Sequence, residues 1–164
     1  YWEDCWKNVD RDVLMGENRM DPLYRILPEF VFSGAKVLEV GVGLANWPCL
    51  FSHAVWYGVD TDTAVIQRDK RELSGLGDRL FVVEGMKLPF PDGFFDVYCN
   101  FGVIEHGEHE RDFMREALRV LRPGGVAIFT VPYLNWSRRW LFIPIVFKQM
   151  LFRWAGYTFH QKIY

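Results

Sequence analysis

The chain has 164 residues, half of them apolar and 17% aromatic, and a net charge of −2. That is enough for one domain with a sizeable core, and it excludes a disordered segment. The near-neutral charge argues against wholesale nucleic-acid binding.

The three cysteines, Cys5, Cys49 and Cys99, show no Cys-x-x-Cys spacing. A disulfide framework or a zinc site is therefore not expected, and a reducing, cytoplasmic setting is. Nothing at the start resembles a signal peptide. The first residue is Tyr1, which fits a fragment of something longer. Charge is unevenly spread: no acidic residue follows Glu116, while seven basic ones do, from Arg119 to Lys162, so the part before them carries about −9 (−2 minus +7). The basic, aromatic end suits an anionic substrate, a membrane surface or simple solvation.

Residues 1–20, with Tyr1, Trp2 and Trp6, show no clear period and read as a loop or short helix. Asp21-Pro22 is a helix start, with Asp as N-cap and Pro at the first helical position, and Pro28 keeps that helix short. Val37–Val40 reads as a buried strand that breaks at Gly41-Val42-Gly43. Two glycines one residue apart allow a tight turn and close approach of a ligand to the backbone. A strand, a glycine loop and a helix, here expected from about Asn46 to His53, open a nucleotide-type site in an open α/β sheet.

Glu39 lies two residues before Gly41, and Asn46 stands where the third glycine of a dinucleotide fingerprint would be. A carboxylate there repels a pyrophosphate but attracts a ligand carrying an ammonium and a sulfonium. Val55–Val59 is the second strand and ends at Asp60, 19 residues after Gly41. That spacing suits an acid accepting hydrogen bonds from ribose hydroxyls; capping the next helix is its other use. Thr63–Leu73 reads as a helix, Gly75–Asp78 as a turn and Leu80–Val83 as the third strand. The turn Pro91-Asp92-Gly93 leads into a fourth strand, Phe95–Asn100. Arg111–Leu121 is an amphipathic helix that Arg122-Pro123-Gly124-Gly125 terminates before a fifth strand, Val126–Val131. The apolar run Trp140–Phe147 is too short to span a bilayer.

Three stretches carry a family resemblance. Glu39-Val40-Gly41-Val42-Gly43-Leu44-Ala45 resembles the acid-Gly-x-Gly-x-Gly motif of class I S-adenosylmethionine-dependent methyltransferases, with Ala45 at the third glycine. Leu88-Pro89-Phe90 followed by Phe95-Asp96-Val97, and Leu121-Arg122-Pro123-Gly124-Gly125 before a strand, resemble two further stretches of its small-molecule members. The resemblance covers roughly residues 30–135 and implies a Rossmann-like, mostly parallel sheet with helices on both faces, truncated after the fifth strand, since the family sheet has seven. Strand five is then an exposed edge, completed elsewhere in the chain or by a partner.

The resemblance implies a division into an N-terminal segment (1–35) that covers the cofactor, a cofactor-binding core (36–132) and a substrate-side insert (133–164). It implies that Gly41, Val42 and Gly43 hold the methionine part of S-adenosylmethionine, with Glu39 near its ammonium. Asp60 meets the ribose, Glu84 the adenine amino group and Met86 the adenine face or the core, and Thr61, Gly85 and Asn100 complete the cofactor-binding set. Asp96 is structural. His106 is the candidate general base, its ordinary pKa near ~6.5 suiting a phenol or enol proton, and a structural histidine is the competing reading. Tyr133, Asn135 and Trp136 are candidate acceptor contacts. The implied reaction is methyl transfer to a small apolar or aromatic acceptor, with no metal, no nucleic acid, and a dimer or peripheral membrane contact as further partners. A non-catalytic methyltransferase-like module is the alternative, and a nicotinamide-dependent oxidoreductase the more distant one.

Overall fold

The structure, a computed structural model, describes residues 21–73, 75–83, 87–104 and 110–131. The first helix, α1 (Pro22–Ile26), starts as expected: Asp21 accepts a hydrogen bond from the Leu23 N–H at 2.7 Å, and Pro22 occupies the first turn. Pro28 falls in a 3-10 turn, Leu27–Glu29, that ends the helix. Leu27, Val31 and Ala35 then enter the core.

Five parallel strands follow: β1 (Lys36–Val40), β2 (Val55–Asp60), β3 (Leu80–Val82), β4 (Phe95–Phe101) and β5 (Leu121–Thr130), in the spatial order β3-β2-β1-β4-β5. Helices α2 (Asn46–Leu50), α3 (Thr63–Glu72) and α4 (Glu110–Val120) connect them. Strands with apolar residues on both faces need cover on both faces. One core layer holds Val37, Trp47, Phe51, Trp56, Ile66 and Val97 beneath α2 and α3. The other holds Leu38, Val40, Val59, Phe95, Tyr98 and Val120 beneath α4. Each large apolar side chain so buried contributes about 1.5–3 kcal/mol. This is the α/β architecture that the strand-and-helix alternation predicts.

Two boundaries differ from expectation by more than one residue. The helix after the glycine loop ends at Leu50 rather than His53, because Phe51 leaves helical geometry (φ −120°, ψ 51°) and its carbonyl accepts the buried Trp56 indole N–H at 2.9 Å. The fifth strand starts at Leu121, not Val126, and ends at Thr130. Leu121 pairs with Phe95 and Val126 with Val97, so residues 122–125 bulge out opposite Asp96 alone. Gly125 suits that bulge: a Cβ there would meet the Arg122 carbonyl at 3.0 Å and the Asp96 carbonyl at 3.1 Å. The strand β5 lies at one edge of the sheet and β3 at the other. No helix among the described residues is long and apolar enough to cross a membrane.

The carboxylate of Asp96 ties the amino ends of β1 and β4. It accepts the Lys36 N–H at 2.8 Å, and the Arg122 guanidinium binds its other oxygen. Burial alone would raise the Asp96 pKa, but these two donors together bring it below the usual carboxylate range.

Candidate cofactor site

From β1 the chain turns one way to β2 and β3, and from β4 the other way to β5, so β1 and β4 flank the point where the strand order reverses. Loops diverge there beyond the carboxyl ends of the strands and leave room for a ligand. The glycine loop leaves β1 at this point. Gly41 has φ 76° and Gly43 φ 52°. The N–H groups of Gly41 and Val42 both donate to the Val59 carbonyl, at 2.8 and 3.1 Å, which fastens the loop to the end of β2.

A Cβ on Gly41 would lie 2.2 Å from a methyl of Val103, so the loop after β4 rests directly on the glycine loop. Ala45, at the third glycine of the motif, takes the left-handed conformation of the glycine it replaces (φ 52°, ψ 41°) with its methyl buried. That conformation costs an L-residue about 1–2 kcal/mol.

Asp60 ends β2. One carboxylate oxygen accepts the Gly43 N–H and the other the Asp62 N–H, both at 3.0 Å. It is therefore held between the glycine loop and the next turn, with acceptor lone pairs to spare. Capping of α3 falls to Asp62, which accepts from Ala64 and Val65, so the alternative use of Asp60 as helix cap does not hold. Thr61, between them, is exposed. The first residue after β3, Val83, donates its N–H to the Asp60 carbonyl at 2.9 Å.

Glu39 lies in β1 between Gly58 of β2 and Cys99 of β4. It is 3% exposed, and its Oε2 has no hydrogen-bond partner among the described residues. Burial raises its pKa well above the usual range, and the charges of Asp60 and Asp69 raise it further. The Cys99 thiol is likewise pushed up, by burial first and then by Glu39. Asn100, fully buried near the end of β4, accepts the Ile104 N–H at 3.1 Å, which shapes the loop after β4, and its amide nitrogen has no partner among the described residues. Asn46 is also buried, with its side-chain oxygen in the same state.

Of the residues singled out in the sequence, Glu39, Gly41, Val42, Gly43, Asp60, Thr61 and Asn100 converge on the carboxyl ends of β1, β2 and β4. Glu84, Gly85, Met86, His106, Tyr133, Asn135 and Trp136 lie outside the described residues. Sequence reasoning missed Val103 and Asp69. Asp69 had a readable signal: it falls three and four residues after Ile66 and Val65, on the buried stripe of α3. Val103 had none, because its contact with Gly41 depends on how two distant loops meet.

These residues suit S-adenosylmethionine. A buried carboxyl group with one oxygen unpartnered among the described residues is the kind of group that a cationic ligand satisfies. Asp60 keeps acceptor lone pairs beyond the two that Gly43 and Asp62 use. The two acids together disfavour a pyrophosphate.

Known proteins resemble this chain in sequence and fold. Residues 38–129 match the family model described as a methyltransferase domain. Methyltransferase GfsG of Streptomyces halstedii is 34% identical over 132 residues, covering 76% of this chain and 46% of that protein. The ubiquinone/menaquinone biosynthesis C-methyltransferase UbiE of Nitrosospira multiformis is 31% identical over 142 residues, covering 81% of this chain and 56% of that protein. The chain thus spans about half the length of these relatives. Among solved structures, a SAM-dependent methyltransferase from Aquifex aeolicus shares the fold, with a TM-score of 0.55 at 21% identity over 74% of this chain and 72% of that one. The chain belongs to the class I S-adenosylmethionine-dependent methyltransferases.

Proposed function

We propose that this chain binds S-adenosylmethionine at the carboxyl ends of β1, β2 and β4 and passes its methyl group to a small apolar or aromatic acceptor. The observation that carries the reading is Glu39: a buried carboxyl group, two residues before the glycine loop, whose Oε2 has no hydrogen-bond partner among the described residues. A cation beside it would offset the burial that keeps the group protonated and would satisfy the unpartnered oxygen.

When bound, the cofactor supplies a methyl group on a sulfonium that is already a good leaving group. The chain's own residues orient and exclude. Glu39 takes the ammonium. Asp60 accepts from the ribose hydroxyls while the Gly43 N–H holds it in place. Gly41, lacking a Cβ, leaves the room that a Val103 methyl fills, which seats the loop after β4 against the glycine loop. The remaining task is to set a nucleophile about 3 Å from the methyl carbon and keep water out, which is worth several kcal/mol of barrier. Glu84, Gly85 and Met86 at the adenine, Tyr133, Asn135 and Trp136 at the acceptor, and His106 as base complete the reading. The name of the Nitrosospira relative, a quinone C-methyltransferase, supports an aromatic acceptor. Cytoplasmic location and contact of the basic, aromatic end with a membrane surface belong to the same proposal.

The test is transfer of radiolabelled methyl from S-adenosylmethionine to a panel of hydroquinones, phenols and aliphatic acids. Transfer to an aromatic member is the expected result. Cofactor binding without transfer to any member would identify a non-catalytic binding module instead.

A further inference from the structure

The loop after β4 meets the glycine loop through Val103, and both neighbours of Val103 are tied down. Gly102 turns the chain in the left-handed conformation (φ 70°) and donates its N–H to the Thr130 carbonyl, at the end of β5, at 3.2 Å. Ile104 is buried and donates its N–H to the Asn100 Oδ1 at 3.1 Å. Val103 stands between these two bonds, and one of its methyls takes the room that a Cβ on Gly41 would need. Valine is stiff about χ1, so a held backbone also holds the methyl.

From the other side the glycine loop is bonded to β2: Gly41 and Val42 donate to the Val59 carbonyl, and Gly43 donates to the Asp60 carboxylate. Val103 closes this clasp from the β4 side. A glycine at positive φ has wide backbone freedom, and the methyl packed on Gly41 removes part of it. Asn100 is fully buried, and its Oδ1 is engaged by Ile104. It therefore reaches the glycine loop in two steps, through the Ile104 N–H and then the Val103 methyl.

We infer that Val103 and Asn100 are positioning residues for the amino-acid end of the ligand: Asn100 sets the loop after β4, and Val103, so placed, holds Gly41 and the glycine loop in the conformation that binds. The inference rests on the reading of the glycine loop as the part of the site that takes the methionine end of S-adenosylmethionine. It gives Asn100 a role that needs no contact with the ligand. Without the Val103 methyl, or without the bond that places it, the backbone at Gly41 explores more conformations. A ligand must then order the loop when it binds, and its affinity falls. The adenosyl end is spared, because Asp60 keeps its second tie, to the Asp62 N–H, when the glycine loop loosens.

The test uses the full chain and two ligands: S-adenosylhomocysteine, and 5′-methylthioadenosine, which carries the adenosyl half without the amino acid. Val103→Ala should weaken S-adenosylhomocysteine about fivefold, the factor for ordering roughly one backbone residue on binding, and leave methylthioadenosine within about twofold. Val103→Thr keeps the branched shape and should stay near the wild type. Asn100→Ala should match Val103→Ala. Asn100→Asp keeps an acceptor oxygen for the Ile104 N–H and drops the amide nitrogen, so it should restore the affinity. Amide exchange at Gly41 and Val42 should quicken in Val103→Ala and Asn100→Ala while Leu38 in β1 stays protected. Val120→Ala removes the same two methyls from the core beneath α4 and should leave both affinities within about twofold, so a general loss of stability is told apart from a loss of positioning. A folded Val103→Ala protein that binds S-adenosylhomocysteine like the wild type, or that loses both ligands alike, would overturn the inference alone. Asn100→Asp as weak as Asn100→Ala would overturn the role of Asn100, and Val103→Ala decides the matter if Asn100→Ala does not fold. A wild-type chain that does not bind S-adenosylhomocysteine would overturn the cofactor reading and the inference with it.

Discussion

Glu39 is a buried acid in β1 with one oxygen unpartnered among the described residues. Burial, and then the charges of Asp60 and Asp69, hold its carboxyl protonated well above the usual range. The folded state then binds a proton that the unfolded state has released. Stability from this group is intact below the unfolded pKa near ~4.3 and declines as pH rises toward the folded value. Glu39→Gln should therefore raise the unfolding free energy of the ligand-free protein at pH 7, with the gain vanishing near pH ~3.5, where Glu39 is neutral in both states. Urea unfolding at the two pH values checks this. The same variant should weaken S-adenosylhomocysteine by about 1.5–3 kcal/mol, the range for a hydrogen bond to a charged group. Gly41 offers a steric counterpart. Its φ is 76°, and a Cβ added to it would lie 2.2 Å from a Val103 methyl. Gly41→Ala should cost about 2–4 kcal/mol of stability and lower affinity as Val103 is displaced. Thermal unfolding and ligand titration read the two effects separately.

The strands and helices show where sequence is explicit and where it is silent. Asp21-Pro22, the glycine loop and the alternation of strand with helix each act within a few residues, and α1, β1 and β2 stand where these signals put them. The end of α2 was not legible, because it depends on the indole of Trp56 reaching the Phe51 carbonyl. Nor was the start of β5: Arg122-Pro123-Gly124-Gly125 reads locally as a helix stop, but pairing of Leu121 with Phe95 draws the strand back across it. The bonds from Arg119 of α4 to the Leu88 and Phe90 carbonyls are illegible for the same reason, since the partners lie about 30 positions apart. Asp96 joins two elements at their amino ends, remote from the glycine loop. Asp96→Asn should cost about 1–2 kcal/mol at pH 7, because the amide keeps one acceptor oxygen for two donors, the Lys36 N–H and Arg122, and loses the charge. Its lowered pKa means that this stability is present above the unfolded value near ~3.9 and is lost as pH falls through the folded one, so wild type and variant should converge in acid. Chemical denaturation between pH 7 and 3 checks the convergence.

Across the whole molecule, the order β3-β2-β1-β4-β5 brings candidate residues that are scattered in sequence to the carboxyl ends of neighbouring strands. Glu39, Gly41, Gly43, Asp60 and Asn100 were readable as candidates because each follows or ends a strand, and in a parallel sheet all those ends face one way. What sequence does not supply is the contact between loops: Val103 on Gly41, the Gly43 N–H on Asp60, Val83 on the Asp60 carbonyl. Those contacts decide the shape of the site, and the two acids decide its charge. Calorimetric titration of the chain with S-adenosylmethionine, S-adenosylhomocysteine and NADH, repeated on Asp60→Ala, tests that assignment most directly. Micromolar binding of the first two without NADH, weakened by about 1.5–3 kcal/mol in a folded Asp60→Ala variant, is the predicted result. Binding of NADH in preference, or an affinity for S-adenosylhomocysteine that Asp60→Ala leaves unchanged, would contradict it.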